Sequence, residues 1–274
     1  MLVLCIDVGG SKLKGALVNS QQEMKSDRLR CETPRPAQPE PVLDALGDLL
    51  KPLEGYDAIA IGFPGVVIDG VVKTAVNLHP DWIDFPLAAR VEKQFGIPAR
   101  AANDADIQGY GAIEGKGVEL VITLGTGMGS ALFVDGVLVP NLEMGHHPLM
   151  KNKTYEQLLG NAARKRDGGK SWNRRLFYAL ERLQALLSCR KIYLGGGNTK
   201  KIQGKLPDNV DIVSNLAGIY GGVELWRDLQ TTAAIASDAV EPAVMPESGA
   251  SSPPPSTDMT ESADADDTET AASA

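Results

Sequence analysis

Leu2-Val3-Leu4-Cys5-Ile6-Asp7-Val8-Gly9-Gly10-Ser11-Lys12-Leu13-Lys14-Gly15-Ala16 opens the chain as an apolar strand, an acid, two glycines and a second apolar run. The pattern predicts strands over 2–7 and 14–18, joined by a tight turn over Gly9–Lys12. A turn with so little bulk exposes backbone N–H groups and the Ser11 hydroxyl, and can cradle an anion. Asp7, just before it, can hold Mg²⁺ through water. The same residues also suit an ordinary hairpin, and the spacing is not that of a Walker A loop.

The theme recurs. Leu120–Leu124 reads as a strand running into Gly125-Thr126-Gly127-Met128-Gly129, and Ser130–Val134 as the next strand. A dinucleotide-binding reading needs a helix after the glycines, with its N-terminus on a pyrophosphate. A strand follows instead, so a second phosphate-cradling hairpin is the better reading. Two such turns predict paired α/β lobes with a cleft between them.

Between the turns the pattern predicts a helix with Val42, Leu46, Leu49 and Leu50 on one face, a buried strand over 58–63 and a hairpin around Asp69-Gly70. A helix over 86–95 is stopped by Gly96, and a strand over 99–102 runs into Asn103-Asp104. That pair can cap the next helix, about 105–114. It also has the makings of a sugar site: an amide to fix one hydroxyl and a carboxylate to accept the proton of another. Further on, helices are expected near 154–166 and 171–187, then a strand over 191–194 that ends in Gly195-Gly196-Gly197, and a last helix over 217–229.

Glu143 and His146, separated by a glycine-containing turn, can both hydrogen-bond a polyol. The doublet His146-His147 raises zinc, but no cysteine lies near and zinc wants four ligands, so none is expected. Arg164-Lys165-Arg166, with Lys170, Arg174 and Arg175, is the basic cluster of the sequence. It suits either a path for a polyanion or a solvated helix face.

Charge is unevenly placed. Of the net −8, residues 237–274 contribute nine acids and no Lys or Arg, leaving the preceding body at +1. That segment is rich in Ala, Ser, Pro and Thr and poor in large apolar side chains. Such a composition cannot offset its ordering entropy, so disorder is expected over 233–274. A near-neutral body lacks the basic footprint of nucleic-acid binding. No apolar run spans a bilayer and no signal peptide is read. Cys5, Cys31 and Cys189 are scattered and odd in number, which argues against a disulfide framework and fits a reducing cytoplasm.

Taken in order, these motifs resemble the ROK family of sugar kinases and repressors, in the actin-like ATPase superfamily, nearest its polyphosphate glucokinase branch. The carrying segments are Ile6–Ala16, Thr33-Pro34-Arg35-Pro36, Ile61–Val67, Asn77-Leu78 with Trp82, Asn103–Asp106, Leu124–Ser130, Val139-Pro140-Asn141 with Glu143–His146, Gly195–Gly197 and Asn215–Ile219. The resemblance implies an α/β, two-lobe, ribonuclease H-like fold with an inter-lobe cleft. It implies lobes over 1–103 and 104–216, the first completed by the last helix. Asp104 matches the catalytic aspartate. Asn103, Glu143, His146 and Glu156, the last thirteen residues beyond Glu143, match sugar-binding positions. Gly9, Gly10, Ser11 and Lys12, and Gly125, Thr126, Gly127 and Gly129, match the two phosphate motifs.

Gly195, Gly196 and Gly197 match the glycine run at the nucleoside or distal-donor end, and Asp7 lies near Mg²⁺. The implied activity is phosphoryl transfer from polyphosphate or ATP to the 6-hydroxyl of glucose. Residues 147–160 lack the cysteines that bind structural zinc in many relatives, as in the polyphosphate branch. Lys12, where that branch usually has Gly, leans toward ATP. Repressors of the family carry an N-terminal helix-turn-helix, whereas this sequence starts in the phosphate-motif strand. A non-catalytic sugar sensor is the alternative. Dimers are common in the family, so a homodimer is the expectation by analogy.

Overall fold

The chain is described here by a computed structural model covering residues 1–75, 78–214 and 216–226. Its elements, in order, are β1 (Leu2–Val8), β2 (Lys12–Asn19), β3 (Leu29–Glu32), α1 (Pro39–Leu50), β4 (Ala58–Phe63), β5 (Val67–Ile68), β6 (Val71–Val72), α2 (Leu87–Phe95), β7 (Ala99–Asn103) and α3 (Asp104–Tyr110). The second half has β8 (Val118–Leu124), β9 (Met128–Val134), β10 (Val137–Val139), β11 (Pro148–Met150), β12 (Lys153–Thr154), α4 (Tyr155–Leu159), α5 (Asn161–Asp167), α6 (Gly169–Leu187), β13 (Lys191–Gly195) and β14 (Val210–Ile212). Residues 217–226 are helical.

The repeat seen in the sequence is a repeat of topology. One sheet has the order β3-β2-β1-β4-β7 and the other β10-β9-β8-β13-β14. In each, an antiparallel hairpin (β1–β2, β8–β9) is extended by parallel strands (β4 and β7, β13 and β14). The glycine turns close the two hairpins, and the carboxyl ends of the parallel strands lie at the same edges. Ligands bind at such edges in α/β sheets. This is the two-lobe α/β architecture that the paired turns predict.

β4 is buried at every position, as a central parallel strand must be. One face of its sheet packs on α1 and α2 through Val42, Leu46, Leu50, Leu87 and Val91, around the buried Trp82. The other face presents Val3, Cys5, Ala16, Val18, Ala58 and Ala60 to Ile219 and Val223 of helix 217–226. The second sheet buries Leu120, Ile122, Ile192 and Leu194 against Trp172, Leu176, Leu180 and Leu183 of α6.

Helix 217–226 also crosses α3 at van der Waals distance. A methyl added at Gly221 would collide with the Ile107 carbonyl, and one at Gly111 with the Ala217 carbonyl. Glycine is needed at this crossing because two backbones meet there.

Several expectations shift in detail. The helix expected over 105–114 ends at Tyr110. The helix expected over 154–166 is two, broken at Gly160, whose extended backbone caps both α4 and α5. A methyl at Gly160 would press on the Thr126 carbonyl, so the break lets α4–α5 approach the second glycine turn. The edge strands β3 and β14 have no counterpart in the sequence reading. The acidic tail over 233–274, the end of the last expected helix, Asn77 and Asn215 lie outside the described residues.

Candidate active site

Asp104 is the first residue of α3, at the carboxyl end of β7. Asn103 caps that helix: its side-chain oxygen accepts from the Ala105 N–H at 2.8 Å. The cap is also a strut. Asn103 Nδ2 donates to the Gly65 carbonyl at 3.1 Å and to Glu143 Oε1 at 3.2 Å. One amide thus fixes the start of α3, the Pro64-Gly65 bend and an acid from the other half of the chain.

Asp104 opens onto a cleft of about 730 Å³ that runs between the two sheets. Its side chain is exposed to the cleft. The surrounding cleft walls, then the negative charge of Asp7, push its pKa up to about 7; the Ala105 N–H opposes the shift, and Glu143 and Asp106 add to it. A carboxylate with a pKa near neutrality is matched to take a proton from a hydroxyl.

The polar groups expected for a sugar line this cleft. Glu143, His146 and Glu156 line it together with Asn103. Glu143 titrates high because it is partly desolvated, with His146 opposing that shift and Glu156 reinforcing it, so the three share one electrostatic neighbourhood. Glu156 is presented by α4, whose start is fixed by a capping box between Thr154 and Gln157. Gly145 is required here, since a methyl would strike the Met128 carbonyl.

Both glycine turns face the same cleft, the second directly against Glu156. Gly9, Gly10, Ser11 and Lys12 line it from the first sheet, and Gly125, Thr126, Gly127 and Gly129 from the second. A Cβ on Gly9 would stand 2.7 Å from the Lys12 carbonyl, and one on Gly127 2.7 Å from the Glu156 carboxylate. Lys12 is the first residue of β2, with its ammonium 3.2 Å from Glu32. Gly196 and Gly197 also line the cleft, and Asn198 donates to the Gly125 carbonyl at 2.9 Å, tying the third glycine run to the second turn. Gly195 does not line the cleft: it is buried at the end of β13, where a side chain would displace Gln108.

Lys14, Arg28, Arg35 and Gln108 line the cleft as well, with no role foreseen in the sequence reading. Lys14 pairs with Asp7 at 2.5 Å, and Arg35 donates to the Gly10 carbonyl at 2.6 Å. The Lys14 signal lies in the hairpin itself, since the ladder sets Asp7 opposite Lys14. Residue types fit Mg²⁺ in its usual mode. Asp7 and Asp104 are two cleft carboxylates in electrostatic contact, and Mg²⁺ binds through one or two carboxylates, water and substrate phosphates. Among the described residues no group of three or more ligating side chains forms a metal cage.

Asp106 lies behind the cleft, 2 % exposed. One oxygen accepts weakly from the Asn141 N–H at 3.3 Å and the other has no hydrogen-bond partner. Desolvation, opposed by that hydrogen bond and aided by Glu143, raises its pKa to about 7. Asn141 in turn bonds both backbone groups of Val67, at 3.2 and 3.1 Å. A raised acid pKa stabilises the fold below about pH 4, and that contribution is lost as pH rises through about 7. Asp106→Asn is therefore expected to match the parent Tm at pH 4 and exceed it by several degrees at pH 8, as read by thermal unfolding without ligands.

A family model described as ROK family matches residues 3–158. The polyphosphate glucokinase of Mycobacterium tuberculosis is 29% identical over 232 residues, covering 79% of this chain and 88% of that protein. An N-acetylmannosamine kinase of Escherichia coli is 36% identical over 146 residues, about half of each chain (51% and 50%). The crystal structure of the inorganic polyphosphate/ATP-glucomannokinase from Arthrobacter sp. strain KM superposes with a TM-score of 0.75 at 32% identity, covering 84% of this chain and 99% of that one. The relatives are sugar kinases, the two-lobe fold is that of the actin-like ATPases, and the chain belongs to the ROK family.

Proposed function

We propose that the chain is a glucokinase-type phosphotransferase that moves the terminal phosphoryl group of polyphosphate or ATP to the 6-hydroxyl of glucose. The observation that carries it is the company Asp104 keeps: one carboxylate, with a pKa near neutrality, lines the same cleft as a set of polar groups suited to a polyol and two glycine turns.

Asn103, Glu143, His146 and Glu156 would hold the sugar hydroxyls. Asp104 accepts the proton of the reacting hydroxyl as its oxygen bonds to phosphorus and the bond to the leaving phosphate breaks. The N–H groups of the glycine turns, with Lys12, Lys14 and Arg35, offset the donor's charge, since positioning and charge neutralisation are most of what this chemistry needs. Bound Mg²⁺, held by Asp7 largely through water, would add to that neutralisation. Closure of the lobes would exclude water and protect the donor. We place the lobe boundary at 103/104 and assign helix 217–226 to the first lobe, a division supported by Ile219 and Val223 packing under β1 and β4. A reducing cytoplasm remains our expectation for its location.

The test is a matrix of donors against sugars with purified protein: polyphosphate and ATP against glucose, mannose and N-acetylmannosamine. Transfer to glucose from either donor supports the reading, and preference for the amino sugar reassigns the acceptor. Glucose binding without transfer from any donor supports the non-catalytic sensor instead.

A further inference from the structure

Two more cavities lie beyond the cleft, in the α4–α6 region. One, of about 440 Å³, shares Thr126 and Glu156 with the cleft and is also lined by Lys153 and Arg166. Lys153 and Arg166 also line the other, of about 430 Å³, together with Lys151, Arg174 and Arg175. The cavities therefore run in series from the second glycine turn outward.

The outer cavity is built from cations with one carboxylate among them. Asp167 accepts two hydrogen bonds from Arg166, at 2.7 and 2.8 Å, and lies 3.1 Å from Arg175. The two guanidiniums and Lys153 hold its pKa below the usual range. Arg175 is a fixed floor: 11 % exposed, it donates to the Leu158 carbonyl and to Ser171. Lys151, Lys153 and Arg174 are exposed. Five cations facing one carboxylate leave a strong positive potential. The basic run Arg164-Lys165-Arg166 is not itself this feature. Arg164 donates to Asn161, and neither it nor Lys165 lines either of these two cavities, whereas Arg166 lines both.

We infer that this series of cavities is a track for the distal part of a linear polyphosphate, with the Lys151–Lys153–Arg166–Arg174–Arg175 pocket as its outer anion site. The inference rests on the reading above that donor phosphates lie against the Gly125–Gly129 turn. A nucleotide ends in a sugar and a base and would leave the outer cations unused. A chain with a charge on every unit would engage them one after another and release counterions as it did so.

The experiment compares the parent protein with the double variant Arg166→Gln/Arg174→Gln, measuring binding of long-chain polyphosphate and of tripolyphosphate by calorimetry over a range of salt. Both side chains are exposed, so the variant is expected to fold, with circular dichroism as the check. Long-chain affinity should fall about tenfold, as expected for losing two charged contacts. The slope of log affinity against log salt should shrink by roughly one per arginine. Tripolyphosphate affinity should change by less than about twofold. Equal weakening of both ligands, an unchanged salt slope, or single-stranded RNA binding as tightly as long polyphosphate would each overturn the inference. Binding needs no turnover. If neither polyphosphate nor ATP supports transfer to any sugar while the length-dependent binding persists, it is the kinase reading that fails.

Discussion

Asp104→Asn is expected to lower kcat by about 10²–10⁴-fold, the contribution of a positioned general base. The sugar KM should change little, because Asn103, Glu143, His146 and Glu156 remain in place. The sign of the pH effect gives a second readout. With a pKa raised to about 7 in the free protein, Asp104 is protonated at lower pH and cannot accept the hydroxyl proton. The parent kcat/KM should therefore fall as pH drops through about 7, and the variant should lack that limb. A stability readout separates chemistry from folding. The side chain is exposed to the cleft, so Asp104→Asn should keep a Tm close to that of the parent at pH 8 without ligands. Near-parent turnover in a folded variant would remove Asp104 from the base role.

Gly221→Ala carries the second large effect, this time through packing. In an open helix Gly→Ala stabilises by up to about 1 kcal/mol. Here the new methyl would meet the Ile107 carbonyl, one turn from Asp104 on α3, so the helices must separate. Overpacking of this kind costs about 1–3 kcal/mol, or a Tm lower by about 2–12 °C for a domain of this size. Turnover should fall too, because α3 carries Asp104. Gly218→Ala is the control on the same helix. Its methyl would lie 3.9 Å from Gln108 Cβ, an ordinary contact, and its Tm should stay level or rise. A parent-like Tm for Gly221→Ala would mean that the crossing yields without cost.

The strands that became the sheet centres were legible because burial on both faces makes an unbroken apolar run, as in Ala58–Phe63. The turns were legible because the chemistry of glycine is local. The edge strands were not. Leu29–Glu32 alternates half-buried and exposed residues, and Val210–Ile212 has two of its three residues exposed; each becomes a strand by pairing with an interior neighbour. The site divides along the same line. Asn103, Asp104, Glu143, His146 and the glycine turns stand in recognisable local patterns. Arg28, Arg35 and Gln108 reach the cleft only because the chain returns there, which no local pattern records. Gly195 erred in the other direction: it belongs to a glycine run, yet its small size serves the packing of Gln108.

The helix beneath β1 and β4 bears on the order in which the protein can be made. Val3, Cys5, Ala16 and Val18 leave the ribosome early and Ile219 and Val223 some two hundred residues later, yet they share one cluster. A nascent chain that has completed its first sheet still has an uncovered apolar face, and domains that fold as they emerge need local partners for such faces. The first half therefore cannot mature ahead of the second. The residue that starts α3 gains its final support only when almost the whole chain has been synthesised, so a truncated product would carry every cleft residue up to Gly197 and still lack a rigid base.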